Sequence, residues 1–232
     1  MTPVLYLVPT PLNDENIVPL TVPYNIDVIK TCSNFVVEEL RTARRFLKAL
    51  DRNINIDALT FHELNEHTPE GELATIFKTV SQNEKTVLMS EAGCPGVADP
   101  GAALVKLAHK NNIRVIPLIG PSSILMAIMA SGFNGQSFAF NGYLPKEKTE
   151  RAKKIKELEK LSHRQPQWFI ETPYRNMQLL DELVATLSPE TKICLAANIT
   201  AANEFIHTKK VNDWKKEKPD LNKIPCVFGI GQ

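Results

Sequence analysis

Short apolar runs recur through the first half of this chain, each followed by a segment with helical spacing, and this alternation constrains the fold more than any other feature. Val4–Val8, Asn34–Val37, Thr86–Ser90 and Arg114–Ile119 read as buried strands, with Asp57–Phe61 a weaker one. Between them, apolar positions recur every three or four residues. They are Phe46, Leu47 and Leu50 in Arg44–Leu50; Leu73, Ile76, Phe77 and Val80 in Pro69–Ser81; and Leu104, Leu107 and Ala108 in Gly101–Lys110. Strands separated by helices of about ten residues predict a mainly parallel sheet with helices on both faces.

The second half has a different texture. Helices are expected at Ser122–Ala130, Glu150–Leu161 and Met177–Leu187, and strands at Phe138–Asn141, Gln167–Glu171, Lys192–Ala197, Glu204–Lys209 and Pro225–Ile230. The late strands follow one another without a clear helix between them, which predicts a mixed sheet. The Lys-rich run Lys209–Lys218 reads as an exposed linker. Gly120-Pro121 interrupts two apolar segments, so the expected division is an N-terminal α/β domain over residues 1–118 and a C-terminal α/β domain over 119–232.

Composition narrows the function classes. With 43% hydrophobic and 23% charged residues in 232, the chain is not of the disordered type. Its 27 Lys and Arg against 26 Asp and Glu argue against a strongly basic nucleic-acid coat, although a local basic lip is compatible with them. Cys32, Cys94, Cys194 and Cys226 are too far apart for a C-x-x-C metal pair or a dense disulfide framework. Apolar stretches fall short of the roughly 20 residues of a membrane span, and the N-terminal residues meet Pro and acids too early for a signal peptide. A cytoplasmic location is the expectation.

The most informative loop is Ser90–Gly101, SEAGCPGVADPG, which places three Gly and two Pro between a strand and a helix. Such loops lie at the carboxyl ends of parallel strands, where open α/β sheets bind ligands. Gly93, Gly96 and Gly101 do not match the dinucleotide fingerprint, and no phosphate-loop motif occurs. Read alone, the stretch is equally a tight turn in which Asp99 caps the next helix. Two more loops stand at strand ends: Val8–Leu12 and Ile119–Ser123, whose Ser residues suit a polar group or an ordinary helix cap. Convergence of all three on one crevice says more than any of them singly.

Together, Val8–Leu12, Ser90–Gly101, Gly120–Ser123 and Gly142–Lys146 resemble the tetrapyrrole methylase superfamily. Glu38-Glu39-Leu40-Arg41 stands at its A-E-D-T-R stretch, and Glu171-Thr172-Pro173-Tyr174-Arg175 at its Y-E-x-P-H-R. His62-Glu63-Leu64-Asn65-Glu66 is similar to the H-E-x-N-E segment of the branch that 2′-O-methylates a cytidine of small-subunit (16S) rRNA. This chain differs in carrying Tyr174 for the usual His and Ala196–Thr200 (AANIT) for A-R-E-L-T.

The resemblance implies a two-domain α/β methyltransferase, a homodimer, that binds S-adenosylmethionine in a cleft between its domains. It implies cofactor contacts from Pro11, Ala92, Gly93, Cys94, Pro95, Val97, Ala98, Asp99, Ser122, Ser123 and Thr172. A ribose hydroxyl needs somewhere to send its proton, and His62, Glu63 and Glu66 are the candidates, with Glu39 and Glu91 behind them. Arg41 is either a helix-start ion pair or a holder of an RNA phosphate or catalytic carboxylate. Asn65, Lys146, Lys148, Arg151 and Arg175 are the expected RNA contacts; the lysines and Arg151 equally make an ordinary solvated helix face. The alternatives are methylation of a tetrapyrrole or related small molecule, and a non-catalytic nucleotide- or RNA-binding module on the same scaffold.

Overall fold

The computed structural model describes residues 2–15 and 17–232, the side chain of Glu70 excepted. The chain forms two compact units, residues 1–122 and 123–232. In the first unit the elements are β1 (Val4–Val8), α1 (Ile17–Leu20), α2 (Pro23–Lys30), β2 (Asn34–Val37), α3 (Leu40–Leu50), β3 (Thr60–Glu63), α4 (Glu70–Gln82), β4 (Lys85–Met89), α5 (Ala102–Lys110) and β5 (Arg114–Pro117). The strands lie in the order β3-β2-β4-β1-β5, and every neighbouring pair is parallel.

Period-two alternation divides the core into two layers. Phe35, Val37, Val87 and Met89 face α2 and α3, where they meet Val28, Ile29, Phe46 and Leu47. Val36 and Leu88 point the other way, onto Ile76 and Val80 of α4 and Leu104 and Ala108 of α5. A side chain of this size contributes about 1.5–3 kcal/mol on full burial, which is why both faces of the two central strands are apolar.

The crossovers create the binding edge. β1 leads past β4 to β2, while β4 leads past β1 to β5, so the chain leaves these adjacent strands in opposite directions. Their carboxyl ends form a topological switch point, the usual place for a crevice. Two local expectations need correction. Asp57–Phe61 is not one strand: a 3-10 turn occupies Ile56–Ala58 before edge strand β3. The stretch between the first two apolar runs also holds α1 and α2. α2 has modest amphipathic periodicity and no side-chain cap, so few local signals announce it.

The second unit contains α6 (Ser123–Ser131), β6 (Ala139–Tyr143), α7 (Lys148–Ser162), β7 (Gln167–Ile170), α8 (Asn176–Thr186), β8 (Lys192–Ala197), β9 (Phe205–Lys210), α9 (Val211–Trp214) and β10 (Cys226–Gly231). Its sheet runs β6-β7-β10-β8-β9. Only β6 and β7 pair in parallel; the other contacts are antiparallel, so the sheet is mixed. Ile155, Leu158, Phe169, Leu180, Leu183, Leu195, Trp214 and Phe228 fill the core. The close fit extends to Gly229, where a Cβ would lie 2.6 Å from the Trp168 ring.

Lys209–Lys218 is not a linker. It completes β9 and forms α9, with Val211 and Trp214 buried and the Trp214 indole donating to the Ile193 carbonyl at 3.0 Å. The lysines conceal two anchors, and Lys209 covers the indole face at 4.8 Å. Among the described residues, no helix is long and apolar enough to cross a membrane.

Candidate functional site

The loops at the carboxyl edge of the first sheet are joined by backbone bonds. Thr10 and Gly93 exchange N–H···O bonds of 2.9 and 3.0 Å, a small antiparallel bridge linking the loops after β1 and β4. The Thr10 hydroxyl donates to the Ser90 carbonyl at 3.2 Å, and the Ser90 hydroxyl to the Gly93 carbonyl at 3.0 Å. Gly93 takes φ +81° and Gly96 φ +79°, a region that suits glycine. Ala98, at φ 56°, occupies the same region without that freedom, a local strain at the exposed tip of the loop.

The loop after β5 joins this group. The Leu118 amide donates to the Leu7 carbonyl at 2.9 Å, and Asn25 of α2 donates to the Ile119 carbonyl at 2.7 Å. The Cys94 thiol donates to the Pro121 carbonyl at 3.4 Å, and burial raises its pKa. Gly120 lies against Pro9, so close that a Cβ there would sit 2.4 Å from the proline Cβ. Residues 8–12, 90–101 and 118–122 therefore meet in one place. The inner parts, including Pro11, Gly93 and Pro95, are buried, while Ala92, Val97 and Ala98 are exposed. Asp99 does not cap α5: its Oδ1 accepts from the Gly96 and Gly101 amides at 2.9 and 2.7 Å, bracing the loop internally.

Carboxylates gather beside the loops. The Glu38 Oε2 accepts from the Glu91 amide at 3.1 Å. Burial pushes the Glu38 carboxyl up, the Glu91 amide pulls it back, and the Asp99 and Glu91 carboxylates push it up again. Glu39 behaves oppositely. It caps α3 by accepting from the Arg41 and Thr42 amides at 2.9 and 2.6 Å, and the Thr42 contacts hold its carboxyl below the usual range. The Thr42 hydroxyl touches both Glu39 and, at 3.1 Å, Glu91; its single proton serves one at a time. Glu38, Glu39, Thr42 and Glu91, with Thr10, Pro11, Asp14, Met89 and Ser90, line a cleft open to solvent.

The expected catalytic residues separate. Glu63, exposed at the end of β3, accepts from the Leu40 amide at 3.1 Å and so joins the α3 N-terminus beside Glu39. His62 lies within β3 opposite Val36, half-buried, with its Nε2 enclosed and lacking a hydrogen-bond partner. That nitrogen faces away from water, which does not suit an accessible base. Glu66 is exposed beside His67, and Asn65 organises its own turn by accepting from the His67 amide at 3.0 Å. Arg41 is exposed in the first turn of α3. Sequence reading missed Glu38 and Thr42 as parts of the site; the acidic pair of Glu38-Glu39 after a buried strand was the available signal.

In the second unit, Ser123 opens α6, and Thr172 precedes a 3-10 turn over Pro173–Arg175. The Thr172 amide donates to Glu171 at 2.7 Å, and Arg175 donates to the same buried carboxylate at 2.5 Å. Arg151 must be reassigned. It is buried, donates through Nε and Nη2 to Glu182 at 2.6 and 2.7 Å, and through Nη1 to the Pro145 and Lys146 carbonyls at 3.0 and 2.7 Å. A guanidinium with its donors so engaged is an internal brace and not a free phosphate ligand. Lys146 and Lys148 are exposed and make no ion pair among the described residues.

Comparison with known proteins places this geometry in a family. Residues 4–214 match the model of the tetrapyrrole (corrin/porphyrin) methylases. The ribosomal RNA small subunit methyltransferase I of Vibrio cholerae is 31% identical over 204 residues, covering 88% of this chain and 67% of that protein. Its Bacillus subtilis counterpart is 32% identical over 218 residues, covering 92% and 70%. The fold resembles that of the uroporphyrin-III C-methyltransferase of Thermus thermophilus solved with S-adenosyl homocysteine, at a TM-score of 0.61 and 14% identity over 98% of this chain and 97% of that one. The doubly covered parallel sheet, the mixed second sheet and the match along most of the sequence make this chain a member of the tetrapyrrole methylase family.

Proposed function

We propose that this chain transfers a methyl group from S-adenosylmethionine to a ribose 2′-hydroxyl of small-subunit rRNA, acting in the cytoplasm as a homodimer. The observation that carries the reading is the union of three Gly/Pro loops at the switch point of the first sheet, with carboxylates alongside. S-adenosylmethionine supplies an activated methyl on a sulfonium, so the protein's part is to bind, orient and exclude competing reactions. The residues fit that task. Backbone at positive φ in Gly93 and Gly96 allows close approach to a ligand, and the acids Glu38, Glu39 and Glu91 favour a cation over a phosphate.

In this reading Pro11, Ala92–Pro95, Val97–Asp99 and Ser122 hold the donor. Glu63, exposed and anchored by the Leu40 amide, is better placed than His62 to receive the hydroxyl proton as the C–O bond forms and the C–S bond breaks. Its contribution as a base is about 10²–10⁴-fold. Leu125 and Met129 of α6, 53% and 84% exposed, support an apolar contact between copies of the chain. The rRNA substrate is supported by the names of the curated relatives, which the chain follows along most of its length.

The deciding experiment is labelled-methyl transfer to small ribosomal subunits from cells lacking this protein. Label on a ribose is expected, and Glu63→Gln should cut the rate at least tenfold while S-adenosylmethionine affinity stays within about twofold. Label confined to small molecules such as tetrapyrroles would replace the rRNA reading. Absence of any S-adenosylmethionine affinity would leave only the binding-module alternative.

A further inference from the structure

Two exposed aromatic residues stand at the carboxyl ends of the parallel pair β6 and β7. Tyr143 ends β6 and is 55% exposed; Tyr174 lies in the turn after β7 and is 76% exposed. Tyr143 is in register with Ile170, four residues before Tyr174. Adjacent strands lie about 4.8 Å apart and four residues of chain extend about 13 Å, so the two Cα atoms are within about 18 Å. That span suits bases one to three nucleotides apart in a single strand.

Neither ring is exposed by accident of a loose loop. The β6–β7 register shifts between Phe140 and Tyr143, and Gly142 takes φ 62° there. An irregularity of this kind re-aims the next side chain. Tyr174 sits in the 3-10 turn whose Pro173 carbonyl accepts from the Lys223 amide at 3.1 Å. Asn176, fully buried, ties the following helix to the Ile224 carbonyl at 2.6 Å. The turn is thus fixed from two sides while its tyrosine remains in solvent.

The charges around the rings are unequal. Lys146 and Lys148 are exposed without an ion-pair partner among the described residues, and the Lys223 ammonium lies 5.9 Å from the Tyr174 ring centroid. Of the carboxylates on the same segments, Glu171 pairs with Arg175, Glu182 with Arg151 and Glu150 with Lys153, while Glu147 caps α7. Ring faces beside exposed ammonium groups that have no carboxylate within ion-pair distance among the described residues complement stacked bases joined by phosphates.

We propose that Tyr143 and Tyr174 form a base-stacking platform for single-stranded RNA, with Lys146, Lys148 and Lys223 facing its phosphates. This deepens the rRNA reading above and rests on it. The platform grips nucleotides by their faces, so it tolerates sequence and demands an unpaired strand.

The test is equilibrium binding of the full chain to a fluorescently labelled 12-nucleotide single-stranded RNA. Tyr143→Ala and Tyr174→Ala should each weaken binding roughly five- to 150-fold. Tyr174→Phe and Tyr174→Trp, which keep a stacking face, should stay within about threefold. Replacing the strand by its duplex should lower affinity at least tenfold in the wild type. Wild-type affinity in both Ala variants overturns the proposal, as does a Tyr174→Phe loss equal to that of Ala, which would assign the effect to the hydroxyl. S-adenosylmethionine titration and subunit labelling, run on the same proteins, report separately on the methyl-transfer reading. Labelling that persists with unaffected Ala variants sinks the platform alone.

Discussion

Replacing Arg151 by Ala should destabilise the second unit without touching the chemistry. The guanidinium makes four hydrogen bonds, two to Glu182 and two to the Pro145 and Lys146 carbonyls, and its side chain is 4% exposed against 13% for its partner. Removing it leaves a largely buried carboxylate with the Gln178 amide, at 3.0 Å, in place of its counter-ion, and takes a donor from two carbonyls. Breaking such a pair costs about 3–5 kcal/mol, which for a chain of 232 residues is a fall in Tm of about 6–20 °C. Glu182→Gln keeps one acceptor but turns an amide NH2 toward the other guanidinium N–H and leaves the Arg151 charge unpaired, so it should also cost about 3–5 kcal/mol. Arg151→Met combined with Glu182→Leu should recover most of the loss, because neither charge is then left alone.

The pair also predicts an acid response. Arg151 holds the Glu182 carboxyl below its usual range, so its stabilisation is present above the unfolded value and is lost as pH falls through the depressed native one. Arg151→Ala should abolish that part of the acid sensitivity. The assay is thermal and urea unfolding of the four proteins between pH 3 and pH 7, with single-stranded RNA binding measured alongside. An Arg151→Ala protein that melts within about 2 °C of wild type yet loses RNA affinity would refute the argument and restore Arg151 as a phosphate ligand.

Two further predictions concern the first unit. Gly120→Ala places a Cβ 2.4 Å from that of Pro9; it should cost about 1–3 kcal/mol and weaken S-adenosylmethionine binding at least tenfold by calorimetric titration. Gly71→Ala in α4, with nothing within 4 Å, is the control and should stabilise by about 0.4–1 kcal/mol. Glu38→Gln tests the acidic cleft. Because the native Glu38 carboxyl is raised, its neutral form favours the fold below the unfolded value, and that advantage fades as pH rises through the native one. The variant should therefore gain stability relative to wild type between pH 5 and pH 8 in urea titrations. A gap that narrows with rising pH would contradict the assigned cause.

Local patterns along the chain are enough to specify the strands, most helices and the three candidate loops. Their signals are local: an unbroken apolar run such as Phe35-Val36-Val37, a 3.6-residue stripe such as Leu73-Ile76-Phe77-Val80, and Gly/Pro turns that few other backbones tolerate. These depend on neighbours in the chain and can be read without knowing the partner. Weak local signals failed, as in α2 and at Asp57–Phe61, where tertiary contacts and the sheet edge set the conformation.

The task of each polar side chain depends on partners far along the chain. Arg151 looked like one cation among many in a charged helix, yet Glu182, 31 residues away, makes it an internal brace. Trp214 looked like part of a lysine-rich linker, yet the Ile193 carbonyl 21 residues back holds it in the core. Glu38 and Thr42 became parts of the site through Glu91, about fifty residues on in the chain. A hydrogen bond depends on geometry within about 3 Å, and the pairing of distant segments that supplies it leaves no periodic trace in the sequence.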